Sequence, residues 1–241
     1  MLNDVHPIMI NKKVIITQSN YIPWKGYFDS LALCDIFVIY DDMQFTKRDW
    51  RNRNLIKTQN GLKWLTIPVE VKGKFNQKIK DTKVSDLSWN KTHWEILKHN
   101  YSKSLNYKEI RDWIEPIYLN SSFTYLTDIN QLFINEICQF LGIDIQIRLS
   151  NEFELADERN DRLVEICKNL GTTDYFTGPA AKAYMNEAVF GENGISVHYF
   201  DYSSYPEYNQ PYPPFQHGVS ILDLLFSEGN DSRKFLKHLS K

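Results

Sequence analysis

Glycine is sparse in this 241-residue chain, ten residues in all, and cysteine is sparser still at three. Cys34, Cys138 and Cys167 are widely separated and form neither a C-x-x-C pair nor a zinc-ligand spacing. That excludes a disulfide scaffold and a cysteine-held metal, and it points to buried free thiols in a reducing cytoplasm. No apolar run reaches membrane-spanning length, so no membrane span is expected. A signal peptide is not expected either, because Asn3, Asp4 and His6 interrupt any apolar stretch at the N-terminus. Neither sign of charge dominates: 28 Lys and Arg stand against 30 Asp and Glu, for a net charge of −2. Nucleic acid is therefore excluded as a partner held by the overall field, and an anionic ligand has to be met by a local patch. The sequence reads as cytoplasmic and leaves the oligomeric state open.

What the chain does have is aromatics: fourteen Tyr, fourteen Phe and six Trp, many beside Pro, Asn and Gln. Rings next to turn residues suit a ligand cleft and equally a packed surface loop. The stretch TQSNYIPWKGYFDS, Thr17 to Ser30, shows both possibilities. It follows the apolar run Val14–Ile16 and has the form of a strand-to-helix turn, but it is built from Tyr21, Trp24 and Lys25 where a phosphate-binding turn uses glycine. These rings and amides either close over a ligand or pack the first helix on the sheet.

Val14–Ile16, a helix from Gly26 to Leu33 and a second apolar strand ending in IFVIYDD give strand, helix and strand in about 30 residues, the signature of a parallel sheet. Pro68 places LKWLTIPVEV at a sheet edge or strand end, with QKIKDTKVSD as a possible hairpin partner. From about 89 to 142 apolar residues recur at three- and four-residue steps, which predicts a helical insert closed by Gly142. IDIQIRLS, DYFTG and ISVHYFDY read as further strands, PAAKAYMNEAVFGENG as a helix opened by Pro179, and VSILDLLFSEG as a closing helix. The expected fold is one α/β domain over 1–241, a Rossmann-like, mostly parallel sheet with that helical insert.

Ligands of open parallel sheets sit beyond the C-terminal strand ends. This collects Gln18, Asn20 and Tyr21 after the first strand, Asp41, Asp42 and Gln44 after the second, and Ser150, Thr177 with Gly178, and Asp201 with Tyr202 after the later strands. The cationic stretch Lys47, Arg48, Arg51, Arg53 and Lys57 encloses Trp50; read as a helix, it sets Lys47 and Arg51 on one face. Arginine forks and an indole suit phosphate oxygens and a base or sugar, while a solvated face paired with Asp49 is the plain alternative. Asp41 and Asp42 fit a general base, a metal pair or a helix cap; further ligands at a metal spacing are missing, so no metal is predicted. Backbone N–H groups at Thr177-Gly178 suit an anion. His217, in a Pro/Tyr-rich loop, is the histidine best placed for proton transfer.

Four of these stretches, TQSNYIPWKGYF, CDIFVIYDDMQFTKRDWRNRNLIK, YFTGPAAKAYM and SILDLLFSEG, resemble the WbqC-like family in order and spacing, from about residue 13 to 229. Two positions depart from its pattern: Ser19 stands where proline is usual, and Thr177 replaces serine. The resemblance implies a role in bacterial surface-polysaccharide (O-antigen, lipopolysaccharide) synthesis and an acyl transfer, glycyl, formyl or related, to the amino group of a nucleotide-linked amino sugar. The acyl donor is left unspecified. In that frame Arg48, Arg51 and Arg53 hold phosphates, Trp24 and Trp50 pack on sugar or base, and Gln18, Asn20 and Gln44 orient hydroxyls or the acyl carbonyl. Asp41 or Asp42 takes the proton. The first half is also similar to the nucleotidylyltransferase fold of pantothenate synthetase, but Trp24-Lys25-Gly26-Tyr27 stands where its His-x-Gly-His turn would be. Nucleotidyl transfer is thus an alternative reading, as is a non-catalytic sugar-nucleotide-binding protein.

Overall fold

The computed structural model describes residues 11–239, so the readings of Asn3, Asp4 and His6 lie outside the described residues. In chain order the elements are β1 (Lys13–Thr17), α1 (Lys25–Leu33), β2 (Ile36–Ile39), β3 (Arg53–Thr58) and β4 (Gly61–Thr66). Three helices follow, α2 (Trp89–Tyr101), α3 (Tyr107–Asn120) and α4 (Leu126–Leu141). Then come β5 (Gln146–Leu149), α5 (Arg159–Leu170), β6 (Asp174–Thr177), α6 (Glu187–Glu192), β7 (Ser196–Tyr199) and α7 (Ile221–Glu228). These residues gather into two compact units, and the chain passes between them at 17/18, 29/30, 40/41, 144/145 and 203/204.

The first unit holds a five-stranded, all-parallel sheet in the order β5-β2-β1-β6-β7, a Rossmann-like α/β arrangement. Its central strands are short and β-branched because both faces are covered: Val14, Ile15 and Ile16 are at most 4% exposed, and all of β2 is buried. The chain leaves β1 toward β2 and β5, then returns to the other side of β1 with β6. The switch point of the sheet therefore lies between the ends of β1 and β6, where Thr177 is buried and Gly178 begins a turn. The single helix expected after Pro179 is instead a 3-10 turn (Pro179–Ala183) followed by the separate α6.

The second unit contains the β3–β4 hairpin and the helices α2, α3, α4 and α7. In α4, Ile129, Phe133, Ile137 and Leu141 recur every four residues and are fully buried. Gly142 ends the helix at φ +63°, where a side chain would be strained. The core is aromatic: Trp94, Tyr101, Tyr118, Phe133 and Phe226 are at most 1% exposed, and the rings of Tyr101 and Phe226 stack at 4.8 Å. β4 pairs with β3 rather than with residues 77–86, because the tight turn before Gly61 (φ +98°) folds it straight back. Among the described residues, the later segment takes part in isolated bridges instead: Gln44–Lys78, Val69–Val84 and Lys83–Tyr125.

Candidate functional site

The bulky first turn is held from three sides. Ile22 sits at φ +37°, a costly conformation for a β-branched residue, yet it is fully buried. The Asn54 amide donates to the carbonyls of Tyr21 and Ile22 at 3.1 and 3.0 Å. The backbone N–H of Tyr21 donates to Trp50 O, and that of Ile221 to Pro23 O. Tyr21, expected beside a ligand, is fully buried instead: its hydroxyl meets His93 Nδ1 and the Tyr118 hydroxyl, both at 2.8 Å. Tyr27 is buried as well, and Trp24 is half-buried. Trp24 also explains Gly26, since a Cβ there would lie 2.3 Å from the indole. For Tyr21 and Tyr27, packing has won over presentation to a ligand.

Behind this turn lies a buried polar knot. Asp41 accepts from the Ser19 backbone N–H at 2.9 Å, the Ser19 hydroxyl at 2.6 Å and the Thr127 hydroxyl at 2.6 Å. Burial raises its carboxyl above the usual range, partly offset by those hydrogen bonds and by the Arg51 charge. Asn130 donates to Ser19 Oγ and to Arg51 O, both at 2.9 Å. The Arg51 guanidinium in turn donates to Asn20 Oδ1 and the Ser19 carbonyl. Asp41, Asn20 and Arg51 are thus brought together as expected candidates, but the carboxylate is enclosed. Asp42 points to other partners, with Lys80 and Lys78 at 2.5 and 3.3 Å from its Oδ1. The two aspartates are not a converging pair, and among the described residues no group of three or more His, Cys, Asp or Glu is arranged to hold a metal.

The cationic stretch is not a helix. Asp49 accepts from the Thr46 hydroxyl at 2.6 Å and from the Trp50 N–H at 2.7 Å, a local pairing that competes with helical hydrogen bonds. Arg48 has φ +59°, and β3 begins at Arg53, so Lys47 and Arg51 do not share a helix face. The resulting turn shapes a cavity of about 230 Å³ with Lys47, Arg48 and Arg53 on its wall beside Asn52, and Phe45 and Ile67 among its apolar residues. Arg53 lies 3.9 Å from the ring centre of Trp64, which in turn is 5.3 Å from that of Trp50. Gln44 is exposed and donates to Phe75 O, whereas Gln18 is half-buried and its carbonyl accepts from the Tyr27 hydroxyl.

Lys25 is 2% exposed. Its ammonium donates to Pro206 O at 2.8 Å and lies 5.2 to 5.5 Å from the ring centres of Tyr208, Tyr205 and Phe215. Burial lowers its pKa to about 8. The exposed His217 ring packs edge-on to the same Phe215 at 4.7 Å, and its pKa is lowered by partial burial and by the Lys25 charge. Thr177 and Gly178 belong to the first unit, at the end of β6.

Several residues of these groups were not singled out from sequence. Thr127 and Asn130 are polar positions, one turn apart, in the buried stripe of α4; that interruption of an apolar stripe was the available signal. Trp64 and Asn52 reach the cavity region only through the β3–β4 register, which sets Leu55 against Trp64 and Arg53 against Thr66.

With this geometry in place, the comparisons are informative. The model of the WbqC-like protein family matches residues 18–235. Among curated proteins, the uncharacterized protein Rv1507c of Mycobacterium tuberculosis (strain ATCC 25618 / H37Rv) is 49% identical over 227 residues, 94% of this chain and 98% of the relative. No solved structure matches. The matched span takes in the first turn, the polar knot and the cationic cavity, and the chain belongs to the WbqC-like protein family.

Proposed function

We propose that this protein is a transferase of bacterial surface-polysaccharide synthesis that N-acylates the amino group of a nucleotide-linked amino sugar. The observation that carries the reading is the convergence of Lys47, Arg48 and Arg53 on one cavity with an apolar floor. Two guanidinium groups and an ammonium match the charge of a diphosphate, and Arg forks bind its oxygens in pairs. At about 230 Å³ the cavity admits a diphosphate and its immediate neighbour, not a whole nucleotide sugar. The exposed indoles of Trp50 and Trp64 offer a stacking surface for the remainder.

N-acylation by an activated acyl donor (a thioester or acyl phosphate class) forms the amide C–N bond as the amine attacks the carbonyl and loses a proton, and breaks the acyl–leaving-group bond, whose electron pair departs with the leaving group. Asp41 is enclosed by three donors, so in this reading it fixes the Ser19 turn and the Arg51 guanidinium. Asp42 is neutralised by two lysines. His217, exposed and held neutral at neutral pH, is the candidate with an accessible accepting nitrogen.

The test is thermal-shift binding against nucleotide-linked 3-amino and 4-amino sugars, with ATP and free nucleotides alongside. A shift with the amino-sugar nucleotides, lost in Arg48→Ala and Arg53→Ala, is expected. A shift with ATP alone would replace the reading by nucleotidyl transfer. Under the acylation reading, His217→Gln lowers turnover with a candidate acyl donor while ligand binding persists.

A further inference from the structure

Residues 41–83 carry eleven lysines and arginines against five acidic residues, a net +6 inside a chain whose total is −2. All of them belong to the second unit. The charge surrounds exposed rings. Phe75 is 75% exposed, in the segment VKGKFNQK that runs from Val71 to Lys78. Trp50 and Trp64 are 42% and 39% exposed, and Leu62 is 46% exposed.

These features form one surface. The Lys47 ammonium lies 5.6 Å from the ring centre of Phe75, Arg53 covers Trp64, and Lys47, Arg53 and Val71 line the same cavity. Phe75 is also held in place. Gln44 donates to its carbonyl at 2.7 Å, and Gln77 donates to Glu70 O at 2.8 Å, so the backbone is tied on both sides of the exposed ring. Beyond its contact with Lys47 the Phe75 ring stays in water, and together with Trp50, Trp64 and Leu62 it gives this basic face an exposed apolar component that a partner would bury.

We propose that this face docks the protein on the surface of an anionic lipid bilayer, with Phe75 entering the headgroup–acyl boundary and the lysines meeting lipid phosphates. The chemistry is that of interfacial binding: a polybasic patch supplies attraction to anionic headgroups, and aromatic side chains supply apolar burial and anchoring at the interface. Among the described residues no helix is long and apolar enough to cross a membrane, and surface docking needs none. A soluble polyanion would satisfy the charges but leave Phe75 in water, whereas an anionic bilayer takes up both. This face shares Lys47 and Arg53 with the cavity of the sugar-nucleotide reading, whereas Phe75, Lys72 and Lys74 belong to the docking proposal alone.

Co-sedimentation with vesicles made of equal parts phosphatidylglycerol and phosphatidylcholine tests it, with pure phosphatidylcholine vesicles as the reference. Binding to the mixed vesicles alone is expected. Phe75→Ser should weaken it roughly tenfold, the order of a lost phenylalanine burial. The double variant Lys72→Glu, Lys74→Glu should weaken it at least about tenfold. Both substitutions are in an exposed loop, and circular dichroism checks that the fold is kept. Equal binding by Phe75→Ser and the unaltered protein would reduce the contact to plain electrostatic adsorption and overturn the proposal, as would the absence of binding to mixed vesicles. The nucleotide-sugar thermal shift is retained in Phe75→Ser, so failure of one reading is distinguishable from failure of the other.

Discussion

Ser19 and Asp41 are joined twice, backbone N–H to Oδ1 at 2.9 Å and hydroxyl to Oδ2 at 2.6 Å, with both residues buried. This double link ties the start of the first turn to a residue two positions beyond the end of the second strand. A proline at position 19 could make neither bond, so the turn depends on this serine for its link to Asp41. Ser19→Ala removes one donor to Asp41 and one of the two acceptors of the Asn130 amide. The expected cost is roughly 1–3 kcal/mol, the price of unpaired buried groups, read as a lower urea midpoint at unchanged slope.

Lys25 gives a pH-dependent prediction with a fixed sign. Its folded amine is held at about 8 by burial, against an ordinary lysine value of 10.5. Between these two pH values the unfolded chain binds more protons, so this group makes stability rise with pH across the window. Lys57, also lowered by burial, acts in the same direction. The three buried thiols, raised to about 12 from 9.0, act oppositely above pH 9. The difference between Lys25→Met and the unaltered chain isolates the lysine. The variant should be at least as stable at neutral pH, with an advantage that shrinks toward about pH 10, as followed by urea midpoints across that range.

Asp223 anchors the Pro/Tyr-rich loop. It is fully buried and accepts from the Tyr208 hydroxyl and the Gln210 amide at 2.6 Å each, and from the Tyr101 hydroxyl at 2.8 Å. Asp223→Ala leaves the buried Tyr101 and Tyr208 hydroxyls without their acceptor, removes one of three acceptors of the Gln210 amide, and should cost on the order of 3 kcal/mol. Because two of those donors are in the loop of residues 204–219, limited proteolysis should cut that loop earlier than the rest of the chain. Uniform loss of protection would show that Asp223 stabilises the whole unit equally.

The sequence by itself determined the parallel sheet and the helices. Short β-branched runs such as Val14–Ile16, and the four-residue apolar recurrence of α4, are local patterns with one stable way to bury their faces. It also contained the family motifs and placed Asp41, Arg51 and Asn20 among the candidates. Only the tertiary structure decided what those residues face. Whether Tyr21 meets a ligand or the core depends on His93 and Tyr118, which are 72 and 97 residues away. The cationic stretch is a turn because Asp49 captures nearby donors, and it becomes a cavity wall only when Phe45 and Ile67 are folded beneath it. Likewise Asp41 is enclosed by Thr127, a polar interruption of the apolar stripe of α4 whose partner the helix pattern does not name. Periodicity reports which face of an element is buried; which polar groups meet there is set by contacts between distant segments, and no local pattern encodes those.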